Sequence, residues 1–354
     1  MSNPALAVRF LLQMATILAA CRGVGIVARR FGQPSVAAEM IAGVLLGPSV
    51  LGLGLPDVHR YLFPGESQYL LFVVSQVGIT LYMFLVGVEF RTDLFLTHVR
   101  AAAAISIAGM LVPFALGLTV AWWLTQSPGV FFTDVAHGWD GAAFLGASMC
   151  VTAFPMLARI LGEQGLSGTV LGTLSLAAGA MGDAVAWCLL VVTLSSAETM
   201  SAFPMIGAFM LGCAMPRGLS DRGLMTRAVP LTAAVLTPAF FAYSGLHTRL
   251  DLVDSPYLWF VTAVVLLAAC VGKWGGCWAA ARLTGEEPRT ALAIGVLMNA
   301  RGMMGLIIVN VGLARGIITP TLFSIMVVMA IVTTLMTTPL LRRLYPVQAL
   351  ARPS

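Results

Sequence analysis

The chain has 354 residues, of which 59% are hydrophobic and 10% charged, with a formal net charge of +5. Soluble globular domains carry roughly 25% charged residues, so this composition excludes a water-soluble fold. The basic excess does not point to nucleic acid as a partner, because the arginines are spread in singles and pairs and do not cluster with aromatics.

Apolar stretches that meet the roughly 20 residues needed to span a bilayer recur from end to end. The first, about 6–29, reads as a retained helix, since no basic run precedes a short apolar core and a cleavage site. The second, 35–54, carries Gly43, Gly47, Gly52 and Gly54, small residues that let helix backbones approach. Spans at 69–90 and 99–124 follow. The next, 141–162, has Thr152, Ala153, Phe154 and Pro155 near its middle. Pro155 offers no N–H and crowds the carbonyl one turn back, which marks a candidate broken helix. The span 168–195 holds Asp183 close to its centre, with no other charge between 164 and 197. Spans at 201–216, 227–248 and 256–282 come next, and the last of them contains Lys273, the sole lysine of the chain. In 289–314 the residues Asn299, Ala300, Arg301, Gly302 and Gly305 mark a second candidate break, and 319–343 brings the expected spans to eleven.

Thirteen basic residues, from Arg29 and Arg30 to Arg352, fall in connections on one side; four, Arg9, Arg60, Arg249 and Arg315, fall on the other. The arginine-rich side is the cytoplasmic one. That places the N-terminus outside and the C-terminus inside. No connection is long enough for a separate soluble domain, so residues 1–354 are expected to form a single membrane domain without a cytoplasmic regulatory domain.

Arg22, Lys273 and Arg301 remain inside spans, together with Asp183. A charge at the bilayer centre costs about 2.5–3.5 kcal/mol on insertion scales, and such groups face a bundle interior or a wet cavity. Asp183 is too deep to snorkel, whereas Arg22 and Glu39 lie nearer helix ends. Lys273 differs from arginine in being able to lose its proton when desolvated. The alternative for Asp183 and Lys273 is a structural ion pair or a permanently neutral carboxyl. The six cysteines lie in apolar stretches without ligand spacing and read as packing residues. His59, His98, His137 and His247 fall in connections or at helix ends, where solvated histidines are expected.

With this orientation the stretches 141–162 and 289–314 run in opposite directions, as do 168–195 against 319–343 and 99–124 against 256–282. Two repeats, about 6–195 and 201–343, are expected on the inverted plan of secondary transporters, with the two broken helices crossing near the midplane to frame an ion site. Freed carbonyls and half-helix dipoles would supply oxygen ligands and partial charges there.

At these residues the chain resembles the monovalent cation:proton antiporters of the second family, in particular plant cation/proton exchangers and bacterial sodium or potassium/proton antiporters. The stretches that carry the resemblance are AEMIAGVLLGPSVLG (38–52), LYMFLVGVE (81–89), TAFPMLARIL (152–161), GDAVAW (182–187), LMNARGMMGL (297–306) and IMVVMAIVTT (325–334). The resemblance implies an all-α fold with two crossed broken helices. It also implies that Asp183 binds cation and proton in turn, with Thr152 and Asn299 at the crossing beside Ala153, Phe154, Pro155, Arg301 and Gly302, and with Lys273 as the charge partner opposite. A homodimer is implied as well. The chain departs from the family in having Gly182 where a second Asp or an Asn is common. It has Arg301 where plant members often carry Lys, and it lacks about two helices between Ser195 and Ser201.

The expected function is secondary transport of Na+ or K+ against H+, electroneutral and without a cofactor, with Asp183 holding the transported ion. A multi-pass protein of the bacterial inner membrane follows, with membrane lipid as its surroundings. The alternatives are a sodium-coupled symporter for an organic anion and a non-transporting shortened relative or membrane receptor.

Overall fold

The computed structural model describes residues 3–33, 35–89, 99–127, 129–134, 139–166, 169–194, 203–215, 232–301 and 303–345. Among these the secondary structure is helical apart from one isolated bridge pair, Phe132 with Ile318. The chain divides into two compact units, Met1–Phe90 with Ala197–Asp251 and Arg91–Ser196 with Leu252–Ser354. Each unit takes one stretch from either expected repeat.

The first unit contains α1 (Asn3–Arg30), α2 (Ser35–Leu46), α3 (Pro56–Leu62), α4 (Gly65–Glu89), α9 (Phe203–Ala214) and α10 (Thr237–Leu246). Short π-helical segments at Pro48–Gly52 and Thr232–Leu236 extend α2 and lead into α10. Helices α2 and α10 touch backbone to backbone. A Cβ on Gly43 would lie 2.2 Å from Phe241 O, and one on Gly245 would lie 2.0 Å from the Gly43 carbonyl. The expected close-packing role therefore holds for Gly43 and for Gly47, whose Cβ would meet Gly245 O at 2.4 Å, but not for Gly54, which faces open space. Ser49 Oγ donates to Thr248 O at 2.8 Å and accepts from Leu250 N–H at 2.6 Å, tying the end of the α2 segment to the chain leaving α10. Arg22 is exposed on α1, and Glu39 accepts from Thr237 Oγ1 at 3.3 Å.

The second unit contains α5 (Val99–Leu124), α6 (Trp139–Cys150), α7 (Phe154–Glu163) and α8 (Val170–Leu194), then α11 (Pro256–Leu283), α12 (Pro288–Met298), α13 (Met303–Ala314) and α14 (Pro320–Leu344). The element order, long helix, two half-helices, long helix, occurs twice. Helix α5 lies against α11, with Gly272 beside Pro113 and Gly276 beside Ala108 O, and against α6 where Gly117 meets Gly146. Thr319 N–H donates to Phe131 O at 3.0 Å, which fixes the start of α14 to the loop after α5.

Among the described residues, each expected span overlaps a helix or a pair of half-helices. Four helical segments among the described residues, Leu6–Arg30, Val99–Leu124, Pro256–Leu283 and Pro320–Leu344, are by themselves long and apolar enough to cross a membrane. Helix α3 lies in the connection between the expected spans 35–54 and 69–90. Its Pro56 in the first turn, Asp57 beside it and Arg60 in the last turn are sound helix signals, but it is too short and polar to show an apolar period.

Candidate functional site

Both anticipated helix breaks are present, and both fall in the second unit. The first spans Val151–Ala153, between α6 and α7. Phe154 and Pro155, expected within the break, belong instead to the first turn of α7. Proline is tolerated there because the N–H it lacks would have had no intrahelical partner. At the second break Asn299 ends α12 and Ala300 and Arg301 are irregular, while Gly302 lies outside the described residues. Gly305 sits inside α13 and takes no part in the break. The two breaks are joined by a main-chain hydrogen bond, Ala153 N–H to Ala300 O at 3.1 Å.

A broken helix leaves carbonyls without partners at the end of its first half and N–H groups without partners at the start of its second. Here charged side chains meet both. Asp183, on α8 and 3% exposed, accepts from Phe154 N–H with Oδ2 at 3.0 Å. It thus sits at the positive end of the α7 dipole, where a carboxylate is favoured. Lys273 and Arg301, each 1% exposed, serve the other side: Lys273 Nζ donates to Cys150 O, and Arg301 Nη1 donates to Ser148 O at 3.2 Å. Two cations therefore cap the negative end of α6.

Lys273, the expected charge partner of Asp183, makes no salt bridge with it; its Nζ donates to the Cys150 carbonyl. The role of Arg301 as a cap on α6 was not foreseen; its seat beside Asn299 marked it only as a buried cation.

Several buried polar atoms in this region have no hydrogen-bond partner: Asp183 Oδ1, Thr152 Oγ1, Asn299 Oδ1, and Arg301 Nε and Nη2. Buried polar atoms are rarely left this way, and these gather at the two breaks. Asn299 Nδ2 is directed at sulfur, 3.6 Å from Cys270 Sγ and 4.0 Å from Met336 Sδ, which leaves its carbonyl oxygen open. The Thr334 hydroxyl on α14 shares its proton between Arg301 O at 2.9 Å and Ala330 O of its own helix at 2.7 Å, and so ties the second break to α14. Next to Asp183 the chain has Gly182 and no second acid; a Cβ there would make an ordinary contact with Ser106 Oγ at 3.4 Å. Cys21, Cys150, Cys270 and Cys277 are buried and free.

The family model described as "Sodium/hydrogen exchanger, transmembrane" matches residues 15–203 and 192–343. The Na(+)/H(+) antiporter NhaS4 of Synechocystis is 34% identical over 406 residues, covering 96% of this chain and 98% of that protein. Cation/H(+) antiporter 15 of Arabidopsis thaliana is 28% identical and K(+)/H(+) antiporter 1 of Saccharomyces cerevisiae 31% identical, each over 95% of this chain. The chain spans about half the length of these plant and yeast relatives, 48% and 46%. Among solved structures, the sodium proton antiporter MjNhaP1 of Methanocaldococcus jannaschii superposes with a TM-score of 0.61 at 11% identity, covering 97% of this chain and 98% of that one, a likeness of fold. The family match is divided at 192–203, and an alignment of 406 residues with the cyanobacterial protein exceeds the 354 of this chain. Sequence is therefore missing here relative to that relative, in keeping with the short passage expected between Ser195 and Ser201, itself outside the described residues. The chain belongs to the sodium/hydrogen exchanger family of transmembrane proteins.

Proposed function

We propose that the protein exchanges Na+ or K+ for H+ across the membrane, with Asp183 as the shared site and alternating access as the mechanism. The observation that carries this reading is the divided carboxylate. One oxygen is held by Phe154 N–H at 3.0 Å, and the other, Oδ1, is buried and unpartnered, as are Thr152 Oγ1 and Asn299 Oδ1 at the two breaks. An ion stripped of part of its water needs oxygen ligands in return, and a proton needs the carboxylate alone. The two compete for Oδ1.

The cation would be held by Asp183, Thr152, Asn299 and freed carbonyls at the crossing. Among the described residues no group of three His, Cys, Asp or Glu side chains offers a stronger cation site. With Gly182 in place of a second acid, one carboxylate trades one proton for one monovalent cation, and the loaded site has the same charge either way. Exchange is then electroneutral. Lys273 stays protonated on the Cys150 carbonyl through the cycle and acts on Asp183 from a distance. Alternating access moves the crossing as one body. The protein works as a homodimer in the inner membrane, with its N-terminus outside and its C-terminus in the cytoplasm.

The test is exchange in proteoliposomes with Na+, K+ and Li+ under an imposed pH gradient, repeated at equal pH under an inside-negative potential. Cation-dependent proton movement that ignores the potential is the expected result. Uptake driven by potential alone would overturn electroneutrality, and proton movement unaltered by any of the three cations would overturn the antiporter reading.

A further inference from the structure

An apolar groove of about 640 Å³ runs along the second unit between α11, α12 and α14. Its volume lies within the roughly 300–1,000 Å³ of ordinary ligand sites. Leu267, Val271, Gly275 and Trp278 form one stripe of α11 along it; Leu292 contributes from α12, and Val332 and Met336 from α14. Leu267 and Val271 are 62% and 61% exposed, so the groove opens outward from two helices that are long and apolar enough to cross a bilayer. Its floor, Cys270 and Met336, is also the sulfur pair facing the Asn299 amide.

The charges at one end of this groove say what fills it. The starts of α11 and α14 share one end of the unit, since Phe131 accepts from Thr319 N–H and its ring centroid lies 6.4 Å from that of Tyr257. The far ends of both helices therefore share the other end, and α12 begins there after a short connection. Each of the three lining stripes terminates at that end in an exposed arginine. Arg282 lies one turn beyond Trp278, Arg289 one turn before Leu292, and Arg343 two turns beyond Met336, each on its lining residue's face of the helix. Glu286 and Glu287 share the connection and offset part of this charge. Arg342 adds to it, with Nε 3.3 Å from Gln164 Oε1.

We propose that this groove is a binding site for an anionic phospholipid, with an acyl chain along the α11 stripe and the phosphate among Arg282, Arg289 and Arg343. A groove without polar lining offers an acyl chain what lipid offers, and basic pockets between transmembrane helices on the cytoplasmic side are suited to anionic headgroups. The arginine-rich end is the cytoplasmic end by charge bias.

The site is tested by native mass spectrometry of the whole protein in detergent, titrated with phosphatidylglycerol or phosphatidylcholine. Two variants are compared with wild type. In Gly275→Leu the new side chain grows into open space, since a Cβ there meets nothing within 4 Å, and leucine favours the helix over glycine; the fold is kept while the groove is filled. The second variant combines Arg282→Gln, Arg289→Gln and Arg343→Gln. Wild type is expected to retain phosphatidylglycerol over phosphatidylcholine, and the arginine variant to lose about five-fold of that preference per guanidinium removed. Gly275→Leu is expected to lose the retained lipid altogether. Equal retention of both lipids by wild type, or undiminished phosphatidylglycerol on Gly275→Leu, would overturn the proposal. A Gly275→Leu protein that shifts from dimer to monomer would assign the groove to a second copy of the chain instead. Binding is read without any transport, so the proposal stands or falls apart from the exchange reaction.

Discussion

At the first helix break the half-helix ends meet ionisable side chains, Asp183 on the amide side and Lys273 and Arg301 on the carbonyl side. At the second break the partners of Asn299, Ala300 and Arg301 on the main chain are neutral. Asn299 and Ala300 N–H close back onto Val296 O and Leu297 O at 3.2 and 3.1 Å, Ala300 O accepts from Ala153 N–H, and Arg301 O accepts from the Thr334 hydroxyl. A neutral cap holds a backbone in shape whatever the state of charge nearby. A charged cap changes its hold when its charge changes. The first break is therefore built to respond to a proton or a cation, and the second to keep its geometry while that happens.

Substitution at Asp183 should separate the two most sharply. Asp183→Asn removes the proton site and the acidic ligand but relieves a buried charge and keeps an acceptor for Phe154 N–H. Exchange should vanish in proteoliposomes while yield and thermal stability in detergent hold. Surviving cation-dependent proton flux would move the responsive site away from the first break.

The carbonyl side is the next largest effect. Lys273→Met leaves Cys150 O without its donor and should cost about 1–3 kcal/mol of stability. Lys273→Arg can still donate but cannot titrate, so it should keep part of the exchange activity. If Lys273→Arg were dead while stable, the lysine would have to give up its proton in each cycle.

Thr334→Val probes the neutral break. It removes the donor to Arg301 O at nearly constant volume and should cost about 1–2 kcal/mol, lowering exchange for Na+ and K+ alike. A change in the preference between the two ions would mean that the second break takes part in ion choice.

The smallest effect lies outside both breaks, at Arg249 and Asp251 in the first unit, a pair in contact at 2.6 Å. The hydrogen bond from Arg249 holds the Asp251 carboxyl below the usual carboxylate range. Its contribution is present above the unfolded value near pH 4 and fades as pH falls through the lowered one. For so exposed a pair it amounts to at most about 0.5 kcal/mol. Asp251→Asn should leave exchange unchanged near neutral pH and slightly flatten the loss of stability in acid, as followed by thermal unfolding against pH.

The long helices and the site of each break were legible in the sequence because apolar length and the run of Pro, Gly, Asn and Thr are local signals. Asp183 and Lys273 were legible because a charge has no local reason to sit in such a stretch. The partner of each charge was not. That Lys273 turns to Cys150 O, and Arg301 to Ser148 O, depends on how α11 and the second break approach α6, which no sequence spacing encodes. The placement of Pro155 after the break, not in it, was open for a related reason: proline disfavours a helix interior and suits a first turn, and the sequence does not say which of the two a given turn will be. Helix α3 was hidden by its polarity.

The Ala153–Ala300 hydrogen bond is made of main-chain atoms alone. Such a joint is indifferent to the side chains hung from it, so drift in sequence around the crossing can retune what the pocket prefers without uncoupling its two walls. Only a change that deletes the donor, a proline at position 153, or that forces the two breaks apart by bulk can open it. The joint therefore works as a fixed axle, leaving the chemistry mounted on it free to vary.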